Sequence, residues 1–420
     1  MLAIMDEKLA DPKSKPPISK DGKLAAKLST KVGDNLVKKM PIDKIIPNVH
    51  TLFIWDFNYG YTYAQKLRHY KGIMGYKWAY EFERNRKLSA QFVRSYYPHL
   101  NLPEEKDFSN NSTDKVLKFI ESSKDFWVIK PASEELFIFV PGARDDHNHY
   151  LQSIQHYLQE NKAPLDKTSI QLQRRVTGYE ACVETWYRNG TPILCNIDLE
   201  NKNKYAGDLP PQTGCVGDLV FTIDLNSPLR LISNQPFDRF AKRMNFTGLM
   251  DANIILEETT GRPYFLEFCP ARFGYNCLYA FLDKIPNVGD FFSWVILGVP
   301  QQSIPPLFGA SLRIFDDNHN SNLLSLLDKS LKFRSLTADS LEHIWLWDVL
   351  LDGKDLQLVG ANQNTAVVTA SHQKPEIALQ LAKKRANTIK FDTPYWRYDI
   401  DGREGRYSIL NRYDYLDKLL

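Results

Sequence analysis

The stretch EACVETWYRNGTPILCNID, residues 180–198, consists of two β-rich runs separated by Asn189-Gly190. An Asn-Gly pair in this position is a strong signal for a β-hairpin, because the tight turn needs positive φ at its central residues. A second pair of runs, NIILEETTGRPYFLEF at residues 253–268, turns near Gly261. Hairpins join antiparallel strands. The two hairpins therefore favour an α+β architecture over a doubly wound parallel sheet.

Other segments of the chain alternate between strand and helix patterns. Apolar residues at helical spacing predict helices in residues 79–97, 114–123, 149–162 and 374–389. β-branched and aromatic runs predict strands in residues 50–57, 125–132 and 169–176. From about residue 307 onward, strands and turns dominate. No P-loop and no GxGxxG signature is present, so a bound nucleotide would need another kind of site.

Length and charge limit the possible classes of protein. A chain of 420 residues is expected to form two or three domains. Its net charge of +3 is too small to require a nucleic-acid partner. Residues 1–44 differ from the rest, with ten lysines against six acidic residues. We interpret them as a basic flexible tail that is solvated or, alternatively, docks on a nucleic acid or another acidic surface.

The five cysteines are odd in number, scattered and without CxxC spacing. This pattern argues against a disulfide framework or a zinc site and favours a reducing compartment. No apolar run approaches the roughly 18 residues that would span a bilayer. We therefore predict a cytoplasmic protein with no membrane partner.

Four segments carry residues suited to nucleotide chemistry. WVIKPA places Lys130 at the end of an apolar strand, where an ammonium is costly unless it faces an anion or solvent. QLQRRVTGYE brings Gln173 and Glu180 around a bend at Gly178. NKNKYAGDLPPQTGCVG is a Gly/Pro-rich loop, and the hairpin at Gly261 can place Asn253 beside Glu267. Each signal is weak alone; their order is more specific.

That order resembles the ATP-grasp superfamily and is most similar to glycinamide ribonucleotide synthetase (phosphoribosylamine–glycine ligase). QLQRRVTGYEAC resembles the hinge of that family, KNKYAGDLPPQTGCVG its acceptor loop, and LEFCPARFG its metal-binding strand. The closing segments NTAVVTASHQKPEIALQLAKKRANTIKF and YWRYDIDG are similar too. The resemblance covers roughly residues 50–405 and implies an ATP-grasp fold, in which two α+β lobes clamp a nucleotide.

The resemblance also implies a role for individual residues. The ATP-binding set is Lys130 and either Arg86 or Lys87 on the phosphates, Gln173 with the backbone of Arg174 and Val176 on adenine, and Glu180 on the ribose. The Mg²⁺ ligands are Glu267 with Asn253 or Asp251. The substrate-binding set is Lys202, Asp208, Thr213, Gly214 and Arg272, and Arg272 joins Lys130 as a catalytic residue.

The implied reaction is ATP-dependent ligation of a carboxylate to an amine through an acyl-phosphate, with ATP and Mg²⁺. Catalysis would consist of positioning and charge neutralisation. The expected partners are an amino acid such as glycine and a small amine acceptor, with a nucleic acid at the basic tail as a further candidate.

The chain departs from the family pattern in four places. SEELFIFVPGARDD, residues 133–146, stands where a glycine-rich phosphate loop is expected. Cys269 occupies a metal-ligand Asn position, so either a local bulge brings in another oxygen or the metal is held more weakly. Tyr275 and Asn276 replace acidic residues, and the N-terminal domain looks truncated. These departures point to an acceptor other than phosphoribosylamine, with a modified nucleotide or a nucleic-acid base as one candidate.

The same departures leave two other functions open. A catalytically degenerate ATP-grasp scaffold, or a nucleic-acid-binding module that uses the tail, would also fit. The predicted domain order is a tail (1–44), a remnant of the N-terminal α/β domain (45–85), an ATP-grasp domain (86–305) and a β-rich C-terminal domain (306–420). Within the ATP-grasp domain, the nucleotide lobe spans about 105–172 and the metal and acceptor lobe about 173–305.

Overall fold

The structure is a computed structural model of the 420-residue chain. It describes residues 2–5, 37–39, 51–54, 71–73, 77–132, 136, 138–142, 146–270, 276–299, 304–317, 343–346, 349–352, 355–358, 364–391, 393–400, 410, 413 and 415.

Eighteen strands and ten helices lie in these residues. The strands are β1 Leu2–Met5, β2 Val37–Lys39, β3 Thr51–Ile54, β4 Lys71–Ile73, β5 Glu105–Phe108, β6 Trp127–Pro131, β7 Ile170–Arg174, β8 Gly178–Arg188, β9 Thr191–Tyr205, β10 Leu209–Ile223, β11 Gly248–Glu257, β12 Pro263–Pro270, β13 Phe308–Asp316, β14 Ile344–Leu346, β15 Val349–Asp352, β16 Asp355–Leu358, β17 Asn364–His372 and β18 Pro394–Tyr395. The helices are α1 Lys77–Arg84, α2 Arg86–Tyr96, α3 Thr113–Ser122, α4 His147–Glu160, α5 Lys162–Leu165, α6 Pro228–Ser233, α7 Gln235–Arg243, α8 Cys277–Asp283, α9 Val288–Leu297 and α10 Pro375–Ala386. None of these helices is long and apolar enough to cross a bilayer.

A nine-stranded antiparallel sheet, here the large sheet, forms the centre of the molecule. Its strand order is β12-β11-β8-β9-β10-β13-β17-β14, and β18 pairs with β13. Both predicted hairpins are confirmed: β8 and β9 turn at Asn189-Gly190, where both residues have positive φ, and β11 and β12 turn at Gly261. This mixture of helices with a large antiparallel sheet confirms the α+β class.

A second, three-stranded antiparallel sheet, here the small sheet, has the order β5-β7-β6. The helices α3 and α4 pack on it through Val116, Ile120, Tyr150 and Ile154, all of which are buried. The chain enters the small sheet after Asn101 and leaves it before Gly178, the first residue of β8. The two sheets are therefore consecutive in sequence but have separate cores.

The chain is bonded to the β11–β12 hairpin on both sides of the small sheet. On the incoming side, the Asn101 N–H donates to Pro263 O (3.0 Å), and the Phe265 N–H donates to Asn101 O (2.8 Å). On the outgoing side, the Glu258 N–H donates to Thr177 O (3.1 Å). These bonds hold the small sheet next to the strand that carries Glu267.

Both faces of the large sheet are covered. One face packs against α1, α2, α7 and α10 in a large apolar cluster in which Trp78, Phe82, Phe237 and Phe246 meet. On the other face, residues of α8 and α9 pack on Trp186, Leu194 and Leu249. The central strands are thus buried on both sides.

The N-terminal region differs from the predicted tail and single remnant strand. β1 pairs in parallel with both β2 and β3, and β3 pairs in parallel with β4, which gives a sheet of order β2-β1-β3-β4. The apolar run of Leu2–Met5 pairs with a strand about fifty residues away. The lysine-rich composition of residues 1–44 concealed this long-range pairing.

Candidate nucleotide and metal site

A narrow cleft lies between the small sheet and strand β12 of the large sheet. Its lining comes from four regions. It is lined by Glu105, Lys130, Gln171 and Gln173 of the small sheet, by Phe265, Leu266 and Glu267 of β12, by Phe82, Glu83, Arg86, Ser89 and Ala90 of α1 and α2, and by Leu102. It therefore brings together four of the predicted site residues: Lys130, Gln173, Arg86 and Glu267.

Lys130 lies in β6, near the strand's end, as predicted. Burial lowers the pKa of Lys130 to about 8, and the Glu267 carboxylate opposes that shift while Arg86 adds to it. An ammonium held in a poorly solvated cleft interacts strongly with an anion, because little water screens it. Lys130 is thus suited to bind a phosphate group.

Glu267 reaches this cleft because β12 contains an irregularity. Asn253 pairs with Glu267, but the next residue, Ile254, pairs with Phe265, so Leu266 is an extra residue in β12. Such bulges redirect side chains and often occur next to functional sites. Phe265 and Phe268, three residues apart, consequently both pack in the core while Glu267 lines the cleft.

The predicted metal ligands lie beside one another. Asn253 is the cross-strand partner of Glu267, and its side chain donates to Asp251 Oδ2 at 3.2 Å, so Asp251 and Asn253 lie on the same face of β11. Carboxylate and amide oxygens of this kind are the donors that Mg²⁺ prefers, so the residues fit that ion. The bulge precedes Glu267, and Asn253 Nδ2 donates to Cys269 Sγ at 3.3 Å.

Arg86 and Lys87, predicted as alternatives, have different environments. Asn85 caps α2 by accepting a hydrogen bond from the Leu88 N–H (3.1 Å), which places Arg86 in the first turn beside the cleft. Lys87 is exposed and pairs with Asp107 at 2.9 Å; this hydrogen bond raises the pKa of Lys87. Of the two, Arg86 is the residue that lines the cleft.

The predicted adenine-binding residues lie at the end of β7. Gln173 is buried and donates from Nε2 to Glu105 Oε1 at 3.2 Å. The side chain of Arg174 is exposed and its N–H donates to Glu104 O, while Val176 follows two residues later and is half-buried. The sequence did not single out Glu105, which fixes the orientation of the Gln173 amide.

Glu180 and Lys202 form an ion pair on adjacent strands, and Lys202 also lies 3.0 Å from Glu200. Burial lowers the pKa of Lys202, but Glu180 and Glu200 raise it well above its usual value. The side chain is therefore held as a cation next to the predicted ribose ligand. The resemblance placed Lys202 among the substrate-binding residues of the acceptor loop. In the structure its side chain contacts Glu180 instead.

The other predicted acceptor residues do not line the cleft. Asp208 is exposed at the β9–β10 turn and pairs with Arg397 at 2.7 Å. Thr213 accepts a hydrogen bond through its carbonyl from Arg313 (2.9 Å), and Gly214 has a φ of 73°. Arg272 lies outside the described residues, as do Tyr275 and most of residues 133–145.

Sequence reasoning missed a buried acidic network on the face of the large sheet that α8 and α9 cover. Its carboxylates are Glu184, Asp198, Glu200, Asp218 and Asp251. Burial, and then the neighbouring carboxylates, raise the pKa of Asp198 well above its usual range. The signal was present as alternating polar residues from Asn196 to Lys202, but that pattern is also typical of a strand with one solvent-exposed face.

The five cysteines are all buried and free, which agrees with the prediction of no disulfide framework. Four of them adjoin the acidic network: Cys182, Cys215, Cys269 and Cys277 contact Asn253, Asp218, Asn253 and Glu184, respectively. The thiols are therefore part of a polar interior rather than of an apolar core.

No family model and no curated protein matches this sequence. Solved structures do match. A phosphoribosylamine–glycine ligase from Thermotoga maritima has a TM-score of 0.67 at 13% identity, covering 95% of this chain and 99% of that chain. An L-amino acid ligase from Bacillus licheniformis has a TM-score of 0.53 at 11% identity, covering 93% and 98%.

A biotin carboxylase domain of 2-oxoglutarate carboxylase from Hydrogenobacter thermophilus, solved with MgADP and bicarbonate, has a TM-score of 0.57 at 8% identity. It matches over 94% of this chain and 91% of that chain. These structures are ATP-grasp enzymes, and the chain has the ATP-grasp fold that its motif order predicted.

Proposed function

We propose that this protein is an ATP-dependent ligase that joins the carboxylate of an amino acid to an amine through an acyl-phosphate. One observation carries the proposal: Lys130 of the small sheet and Glu267 of the large sheet line the same cleft. A cation and a carboxylate on opposite walls are what a metal-bound triphosphate requires. The ligases and the MgADP-bound domain with the same fold support this reaction class.

The residues of the cleft have separable tasks. Lys130 and Arg86 would neutralise the phosphates, and Gln173, oriented by Glu105, would bind adenine. Mg²⁺ held by Glu267 with Asn253 or Asp251 would screen the remaining phosphate charge. The residues position the groups, and no side chain needs to form a covalent bond.

The proposed reaction proceeds in two steps. A carboxylate oxygen of the amino acid attacks the γ-phosphorus, and the bond from that phosphorus to the β–γ bridging oxygen breaks to give ADP and an acyl-phosphate. The amine attacks the acyl carbon, phosphate leaves, and the amine loses a proton. Arg272, by its place after β12, is proposed to bind the anionic acyl group.

The acceptor is proposed to be an amine other than phosphoribosylamine. Asn276, which stands where the family pattern has an acidic residue, is fully buried. Its amide donates to Cys215 O (3.0 Å) and accepts from Arg313. A side chain used in this way supports the protein interior and cannot reach a substrate amine as an exposed carboxylate would.

The test is ADP formation in a matrix of amino acids and amines, including amino-modified nucleotides and DNA. We expect ADP release that needs both an amino acid and an amine, and Glu267→Gln should lower the rate by about 100-fold or more because it removes a metal ligand. Glu258→Gln is the matched control, since Glu258 lies exposed in the turn of the same hairpin.

Two results would overturn the proposal. ATP that binds tightly with Mg²⁺ in calorimetry but is never turned over would identify a degenerate scaffold instead. Absence of ATP binding would reject both nucleotide functions.

A nucleic-acid acceptor is a proposal that rests on the lysines of residues 1–44. Deleting this segment would remove β1 and β2, so substitution is the sharper experiment. Glutamine in place of Lys13, Lys15, Lys20 and Lys23 should weaken DNA binding and reduce its dependence on salt. Unchanged binding and salt dependence would exclude a role for these lysines.

A further inference from the structure

Asp198 is a fully buried carboxyl group with little compensation from its surroundings. It lies in the middle of β9 with no exposed surface, and neither carboxylate oxygen has a well-formed hydrogen bond among the described residues. The Cys277 thiol, which lies within 4.8 Å, is a weak donor that lowers the pKa of Asp198 only in part. A buried carboxylate without partners carries a large desolvation cost. A cation that binds the carboxylate oxygens would remove this cost.

Three further donor atoms surround this carboxylate. The four-donor cluster consists of Asp198, Glu200, Cys215 and Asp218, whose ligand atoms all lie within 4.8 Å of one another. Oxygen and sulfur ligands lie about 2.0–2.3 Å from a metal such as Zn²⁺, so ligands of one ion are separated by at most about 4.6 Å. The spacing of the cluster is thus close to that of a single ion's ligands.

The charges around the cluster also call for a cation. Glu200 and Asp218 are direct cross-strand partners on β9 and β10, an arrangement that is destabilising for like charges. Lys202 lies 3.0 Å from Glu200 but is shared with Glu180. Among the described residues, no lysine, arginine or histidine forms an ion pair with Asp198. The Arg313 guanidinium acts on Asp218 and opposes the rise in the pKa of that carboxyl, but it forms no direct ion pair with it.

We propose that the four-donor cluster binds one Zn²⁺ ion as a structural site. A thiolate together with carboxylates suits Zn²⁺, whereas Mg²⁺ and Ca²⁺ take oxygen ligands only. Binding converts the Cys215 thiol to a thiolate and releases one proton to solvent. All four residues are at most 4% exposed, which is typical of a closed four-ligand site without room for a substrate.

This site is separate from the cleft. Glu267, Asn253, Cys182 and Asp198 are successive cross-strand partners, so Asp198 lies three strands away from Glu267. Three strand spacings amount to about 14 Å. The Zn²⁺ ion would therefore stabilise the centre of the large sheet and would not compete with Mg²⁺ for the proposed site at Glu267.

The experiment uses the full-length chain, stripped with a chelator and titrated with Zn²⁺ by calorimetry and with Co²⁺ by absorption spectroscopy. We expect one ion per chain and a sulfur-to-cobalt charge-transfer band. Cys215→Ser should abolish the band, and Asp198→Asn should weaken Zn²⁺ binding by about 100-fold or more, since even outer ligand partners contribute 10- to 100-fold.

Two matched controls accompany these variants. Cys195→Ser removes a buried thiol that packs in the apolar cluster on the opposite face of the same sheet, and it should keep the band. Glu267→Gln should bind Zn²⁺ like the wild type, which separates this site from the cleft.

If the variants fail to fold, X-ray absorption of the wild-type zinc protein decides the matter. The expected shell is one sulfur at about 2.3 Å and oxygens at about 2.0–2.2 Å. The proposal is overturned if the wild type binds neither Zn²⁺ nor Co²⁺ at millimolar concentration. It is also overturned if the coordination shell contains no sulfur, or if Cys215→Ser keeps the charge-transfer band.

Discussion

Lys130 and Glu267 face one cleft from two different sheets, and the carboxylate of Glu267 raises the pKa of Lys130, which burial lowers to about 8. The two residues lie 137 positions apart in the chain. Their proximity depends on the hydrogen bonds that join Asn101 and Thr177, on either side of the small sheet, to the β11–β12 hairpin. The pH dependence of nucleotide binding should report on it.

ATP affinity is expected to fall as the pH rises through about 8, because Lys130 is charged below its pKa and neutral above it. Between pH 7 and pH 9 the charged fraction falls about tenfold, and the Kd for ATP should rise by up to that factor. Calorimetry at a series of pH values measures this. Lys130→Met should weaken binding at pH 7 and flatten the profile.

Lys87→Met is the matched control for Lys130→Met. Lys87 is exposed and pairs with Asp107, so its loss should leave both the affinity and the pH profile unchanged. A pH-independent Kd in the wild type, or equal effects of the two variants, would contradict the role of Lys130.

Gly178→Ala should destabilise the fold by about 2–3 kcal/mol, as is usual for overpacked sites. An added Cβ would lie 2.0 Å from Leu256 O, a backbone atom of the neighbouring strand that cannot move aside. Urea unfolding followed by circular dichroism measures the change.

The comparison for this variant is Gly207→Ala. Gly207 has a φ of 73° but nothing within 4 Å of its Cβ position, so only the backbone penalty of roughly 1 kcal/mol applies. Equal losses at the two positions would show that the contact with Leu256 is unimportant.

Lys284 should make the protein more stable as the pH rises from about 7 to 9. The side chain is buried and donates to Thr222 Oγ1 at 2.5 Å, and burial lowers the pKa of Lys284 to about 7. Over this range the unfolded chain, with a pKa near 10.5, binds a proton that the folded chain does not. The free energy of unfolding therefore rises by up to about 1.4 kcal/mol per pH unit.

Lys284→Met removes this contribution, so the comparison of the variant with the wild type isolates it from other titrating groups. The stability difference between the two proteins should change by about 2 kcal/mol between pH 7.5 and pH 9. Parallel stability curves over that range would show that Lys284 keeps its ordinary pKa.

Arg397→Met should cost about 2 kcal/mol, because it removes the charge-assisted hydrogen bonds of a buried guanidinium. The Arg397 guanidinium makes two bonds to Asp399 (2.9 and 2.8 Å) and one to Asp208 (2.7 Å), and its side chain is 4% exposed. Asp208→Asn should cost under about 1 kcal/mol, since Asp208 is 48% exposed. Thermal unfolding of both variants tests this order, and a larger loss for Asp208→Asn would contradict it.

The hairpins and about half of the described helices could be predicted because their signals are local. Asn189-Gly190 and Gly261 mark turns whose φ values few other residues adopt, and the helices have clear apolar spacing. The motif order then predicted the ATP-grasp fold at a sequence identity of only 13% to a solved structure.

The buried acidic network could not be predicted in this way. Asp198 and Glu200 alternate with Ile197 and Leu199, which indicates a strand but not the environment of its polar face. Helices α8 and α9, more than seventy residues later, cover that face. Burial depends here on tertiary packing that the local pattern does not contain.

The parallel pairing of β1 with β3 was missed for a related reason. Leu2–Met5 is a short apolar run within a segment dominated by lysine, and its partner Thr51–Ile54 is distant in sequence. A pairing of this kind becomes visible only when both strands are placed in the same sheet.

The hydrogen bonds at Asn101 and Thr177 limit how the cleft can widen. The chain is hydrogen-bonded to the β11–β12 hairpin both where it enters the small sheet and where it leaves it. A rigid rotation of the small sheet that keeps these bonds would have its axis through Asn101 and Thr177. Since the same hairpin carries Glu267, any such swing changes the separation of Lys130 from the metal-binding strand. Opening of the cleft would therefore be coupled to the spacing of its two charged groups.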